Sequence, residues 1–143
     1  MDTRQLPFSH LLYLTAHHWR LAVNRRLKNL GLSQASWVAV ASIARHQQPL
    51  SQSELAQELG VESPTIVPLI HRLVALGLVE RITTASDKRK RLLVVTDKGK
   101  ALYEQVKTVA DDLREEILTA ITPQEQEQTQ RVLEKLLREV EKK

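Results

Sequence analysis

At 143 residues the chain has the length of one domain, long enough to bury about two-thirds of the surface its unfolded form exposes. Its 42% hydrophobic and 27% charged residues, with 4 Gly and 5 Pro, exclude a disordered or collagen-like chain and argue for helix over a turn-rich β protein. The absence of cysteine excludes disulfides, thiolate nucleophiles, thiolate zinc sites and iron–sulfur clusters. Net charge is +4, unevenly spread: residues 1–96 carry 12 Lys/Arg against 6 Asp/Glu, and residues 97–143 carry 9 against 11. A basic working part and a solubilising or assembling tail end are expected.

Aromatic residues make up only 3%, so the core must be built from Leu, Val, Ile and Ala. Apolar residues at three- and four-residue steps predict a first helix over about Leu6–Asn29, through Phe8, Leu11, Leu12, Thr15, Trp19, Ala22, Val23 and Leu27. Gly31 is the expected left-handed stop. Ser33 caps a second helix through Trp37, Val40, Ala41 and Ala44, ended by Pro49. Its apolar run, Trp37–Ala44, is eight residues broken by Ser42, where a membrane span needs about twenty. Ser9, His10, Thr15, His17 and His18 interrupt any leader-like run at the N-terminus. No membrane partner is expected, and the cytoplasm is the default compartment.

Ser51-Gln52-Ser53-Glu54 reads as a capping box opening a short third helix to Leu59, with Leu50 and Leu55 placed as a hydrophobic staple and Gly60 closing it. A fourth helix is predicted with Ser63 as cap and Pro64 at the first helical position, running to Leu76 and ended by Gly77. Two β-branched runs, Leu78–Thr83 and Arg91–Thr96, predict a hairpin with a long polar tip. Thr96 can cap a fifth helix carrying Leu102, Val106, Val109, Leu113 and Ile117. Thr122-Pro123-Gln124-Glu125 is a second capping box, opening a last helix with Val132, Leu133, Leu136, Leu137 and Val140.

No glycine-rich phosphate loop, H-E-x-x-H motif or G-x-S-x-G elbow is present. Of the five histidines, adjacent His17 and His18 point about 100° apart on a helix and do not share one metal ion easily. No catalytic residue, metal site or cofactor is assigned, and an enzyme is not expected.

The informative stretch is residues 50–96. On the fourth helix Ile66, Leu69, Ile70, Leu73 and Leu76 form an inward stripe. Thr65, Pro68, His71, Arg72 and Ala75 face away, and no acid follows Glu62 on this helix. A helix entering a DNA major groove wants that profile, because carboxylates repel phosphates and bulk blocks approach. An ordinary surface helix more often alternates Glu and Lys. Pro68 removes a hydrogen bond inside the helix, so a bent first turn is one expectation. At the hairpin tip, Lys88-Arg89-Lys90-Arg91 places four cations beside one acid, Asp87. A solvated charge run is the plain alternative, but an Arg on a projecting loop also suits a narrow minor groove.

The order Leu-Ser-Gln-Ser-Glu-Leu-Ala (50–56), Ser63-Pro64-Thr65, Gly77-Leu78-Val79, Asp87-x-Arg89 and Val95-Thr96-x-x-Gly99 resembles the MarR family of winged helix-turn-helix regulators, nearly end to end. His17-His18-Trp19-Arg20, Arg26-Leu27-Lys28 and Trp37-Val38 look most similar to its SlyA-like branch. The D-x-R pair followed by V-T-x-x-G is the most specific part. The resemblance implies a mainly α fold: a winged helix module over about 33–96, with a small β-hairpin wing, and dimerisation helices over about 6–30 and 97–142 of a single domain. It implies a homodimer on double-stranded, pseudo-palindromic DNA. DNA contacts would then fall on Ser63, Pro64, Thr65, Pro68, His71 and Arg72. On the wing, Arg89 would enter the minor groove, Asp87 would orient it, and Lys88, Lys90 and Arg91 would meet phosphates. SlyA-like members often carry Arg where this chain has Pro68, so the operator does not carry over. Effectors of the family, often small aromatic acids, lodge between the dimer helices and the DNA-binding module, which here implicates His17, Trp19, Arg20 and Trp37. The alternative is that Trp37 is core and Arg20 surface. Two other functions stay open: a metal-responsive regulator using His and carboxylates, which added zinc would reveal, and a helical protein-interaction module without a DNA target.

Overall fold

A computed structural model describes residues 2–86 and 91–143. The chain forms two compact units, residues 1–109 and 110–143. The first opens with a 3-10 turn, Thr3–Gln5, where the Arg4 side chain and then its backbone N–H hold the exposed Asp2 carboxyl below its ordinary range. Helix α1 spans Phe8–Arg26 with Pro7 as its N-cap. It begins two residues later than the apolar spacing predicts, because a residue preceding proline is pushed out of the helical region, and Leu6 is that residue. Its C-terminal end tightens into a second 3-10 turn, Lys28–Leu30, closed by Gly31 at φ +67°.

Helix α2, Gln34–Arg45, is capped by Ser33, whose side chain accepts from the Ser36 N–H. Strand β1, Leu50–Ser51, leads into α3, Gln52–Leu59. Both halves of the Ser51/Glu54 capping box form, at 3.1 and 3.2 Å. Helix α4 spans Ser63–Ala75. Its cap is Glu62, not Ser63, and Pro64 sits second in the helix. The helix gains its extra residue because the Glu62 carbonyl already accepts the Thr65 N–H at 3.0 Å. Pro68 lies inside α4 and is exposed; the helix continues through it in one piece.

Strands β2, Val79–Thr83, and β3, Arg91–Val95, pair antiparallel from Val79↔Val95 to Thr83↔Arg91. β3 also pairs with β1 through Leu50↔Leu93 and Ser51↔Leu92, so the sheet has three strands in the order β1-β3-β2, not the two of the predicted hairpin. A two-residue strand is too short to show a period. The core lies between this sheet and α2, α3 and α4, where Val40, Leu55, Ile66, Ile70, Leu73, Val79 and Leu93 are fully buried. Each such side chain contributes about 1.5–3 kcal/mol by leaving water. Leu76 departs from the predicted stripe: at 40% exposure it is the C-cap of α4, past the last core-facing turn.

Helix α5, Asp97–Leu118, starts in the first unit and ends in the second. The second unit adds a short turn and α6, Pro123–Glu141. The Thr122/Glu125 capping box forms reciprocally at 3.1 and 2.9 Å, and Arg131 pairs with Glu127 one turn apart. No helix among the described residues is long and apolar enough to cross a membrane.

Candidate nucleic-acid interface

The site is built on α4. Ile66, Ile70 and Leu73 anchor it in the core, and Leu69 is half-buried. That anchoring leaves Ser63 and Pro64 exposed at the start of the helix, and Thr65, Pro68, His71 and Arg72 exposed along the side away from the core. The face therefore offers hydroxyls in the first turn, an imidazole and a guanidinium further along, and no carboxylate between Ser63 and Ala75. Positive partial charge at the helix start adds to its attraction for phosphates. The α3–α4 turn that presents this face is set by Gly60 at φ +70°, where the Val61 N–H returns to the Ala56 carbonyl at 3.0 Å.

Arg91, grouped above with the hairpin tip, opens β3 opposite Thr83 and is exposed. Asp87, Lys88, Arg89 and Lys90 lie outside the described residues.

The V-T-x-x-G segment has a structural explanation that spacing alone does not supply. The Thr96 hydroxyl donates to the Gly77 carbonyl at 2.6 Å and accepts the Gly99 N–H at 3.1 Å, capping α5. The Thr96 N–H donates to the Leu78 carbonyl at 3.1 Å. A Cβ on Gly99 would lie 2.2 Å from that same carbonyl oxygen, so only glycine fits.

The four candidate effector residues divide. Arg20 stands over the Trp37 ring, 5.8 Å from its centroid, and the buried Trp37 donates its indole N–H to Asn24 Oδ1 at 2.8 Å. Trp37 thus joins α2 to α1 as a core residue that also meets a cation. His17 stacks instead on Tyr13, with ring centroids 5.4 Å apart, and Trp19 is half-buried. Sequence reasoning missed the cluster at the end of α2, where Glu58 of α3 meets Arg45 at 3.4 Å and His46 at 2.5 Å. Its members lie 12 and 13 residues apart, beyond any helical spacing. Among the described residues no three His, Asp or Glu side chains group as a metal site.

The profile of the MarR family matches residues 30–90. The transcriptional regulator PA3341 is 39% identical in its crystal structure, with a TM-score of 0.91, over 96% of this chain and 100% of that one. The chain belongs to the MarR family. It is a winged-helix transcriptional regulator and not an enzyme. Wild-type MarR from E. coli, in its apo form, is 28% identical with a TM-score of 0.76, over 92% of this chain and 98% of that one. MepR from S. aureus, crystallised as a DNA complex, shares the fold at 23% identity and a TM-score of 0.82, over 94% of this chain and 99% of that one.

Proposed function

We propose that this MarR-family protein is a cytoplasmic, SlyA-like regulator that binds pseudo-palindromic DNA as a homodimer. The observation that carries the reading is the exposed, acid-free face of α4. Ser63, Pro64 and Thr65 would enter the major groove first, with His71 near base edges and Arg72 near phosphates. Arg89 would reach the minor groove with Asp87 orienting it, flanked by Lys88, Lys90 and Arg91 on phosphates. The MepR–DNA complex supports this use of the shared fold. Residues 6–30 and 97–142 would supply the dimer interface and set half-sites about one helical turn apart.

The test is a set of binding isotherms on an operator duplex and its scrambled counterpart at several salt concentrations. Arg89→Ala costs about 1–3 kcal/mol on the operator. Lys90→Ala weakens both duplexes alike and lowers the salt slope by about one. His71→Ala narrows the gap between the duplexes. Wild-type operator affinity in Arg89→Ala would remove the wing from the reading, and binding indifferent to salt would remove the DNA interface altogether.

Arg20, exposed beside the buried Trp37 ring, supports a small aromatic acid as effector: the guanidinium would meet its carboxylate, and ligand arrival would be felt by Trp37; His17 and Trp19 are further candidates. Titrating benzoate is expected to give a saturable change in Trp fluorescence together with a loss of operator affinity. A flat titration in both would leave Trp37 purely a core residue.

A further inference from the structure

The three carbonyls that follow the reading helix are all held by one turn of the chain. The Leu76 carbonyl accepts Lys98 Nζ at 2.9 Å. The Gly77 carbonyl accepts the Thr96 hydroxyl at 2.6 Å, and the Leu78 carbonyl accepts the Thr96 N–H at 3.1 Å. The last carbonyls of a helix have no partner within it. Here the Leu78 and Gly77 N–H groups return to Leu73 and Val74, both at 3.0 Å, closing α4 with Gly77 at φ +73°. The carbonyls of the C-cap Leu76 and of the next two residues, Gly77 and Leu78, go instead to the start of α5. Lys98 also sets its ammonium at the negative end of the α4 dipole.

We propose that Lys98 is a positioning residue for DNA reading, holding the C-terminal end of α4 against α5 without touching DNA itself. This rests on α4 being the reading helix. A helix pinned at its core face by Ile66, Ile70 and Leu73 can still swivel about that contact. Fixing the C-cap carbonyl and the two that follow it to the start of a second helix restrains the swivel, and base contacts need positions held to a fraction of an ångström. Phosphate contacts by long side chains tolerate more play, so losing the latch should damage discrimination more than general DNA affinity.

The experiment compares wild type, Lys98→Met and Lys98→Arg on a duplex that the wild type selects from a random pool and on its scrambled version, across a salt series. Lys98→Met is expected to lower operator affinity about fivefold, to leave scrambled binding within about twofold, and to keep the salt slope. Lys98→Arg, which retains a cationic donor, is expected to recover most of the preference. A slope lower by about one in Lys98→Met would make Lys98 a phosphate contact and overturn the proposal. An equal loss on both duplexes would reduce Lys98 to a role in stability and overturn it too, as would an unchanged operator preference. A wild type that prefers no duplex would overturn the DNA reading itself, and the positioning role with it.

Discussion

Gly99→Ala is expected to be among the most destabilising single-methyl additions to this chain. The position is inside α5, where Ala normally gains about 1 kcal/mol over Gly. Here the added Cβ would lie 2.2 Å from the Leu78 carbonyl oxygen and 3.2 Å from both its carbon and the Val95 Cβ. The oxygen is backbone and is tied to the Thr96 N–H, so it cannot swing aside as a side-chain tip would. Overpacking a site costs about 1–3 kcal/mol, more where backbone must move. The clash wins, and we expect a net loss of roughly 2 kcal/mol or more. With a urea slope of about 2 kcal/mol per molar, the unfolding midpoint falls by about 1 M. A midpoint at or above wild type would show that α5 does not pack on the α4–β2 turn as described.

For the proposed homodimer, Leu137→Lys is expected to abolish dimers at micromolar concentration. Leu137 is 60% exposed on α6 and Val140 68%, with Val132 and Leu133 also exposed on that helix. On α1, Phe8 is 66% exposed, and Leu11, Leu12 and Tyr13 are exposed with it. Apolar stripes of this kind, one in each unit, mark surfaces used for association. At the centre of an interface one side chain costs about 2 kcal/mol or more when lost. Two-fold symmetry counts each substitution twice, so the dimer constant weakens by about a thousandfold. Sedimentation across a concentration series checks the state, and the unfolding midpoint of wild type should rise with concentration. A Leu137→Lys protein that sediments as a dimer would take α6 out of the interface.

Most of the architecture was legible because local signals agreed with the tertiary outcome. Both capping boxes form as their residues predict. The 3.6-residue period on α4 separated buried Ile66, Ile70 and Leu73 from exposed Thr65, Pro68, His71 and Arg72. The misses are local in a different sense. The Ser63 side chain favours the cap role, but the Thr65 N–H bonds to the Glu62 carbonyl and moves the start back one residue. The spacing of Leu50 and Leu55 predicts only a staple; Leu50 is buried and also pairs with Leu93.

The chain's own residue order determined the helices, their caps, the acid-free face of α4 and the membership signalled by residues 50–99. These depend on spacings of two to four residues, which sterics and hydrogen bonding read directly. The third strand, the Glu58 cluster with Arg45 and His46, the seating of Trp37 against Asn24 and Arg20, and the grip of Thr96 and Lys98 on the end of α4 were decided only by tertiary structure. Each joins residues 12 or more positions apart, and no local period encodes a partner at that distance. Packing the core brings the backbone carbonyls and side chains together, and only then do their hydrogen bonds have somewhere to go.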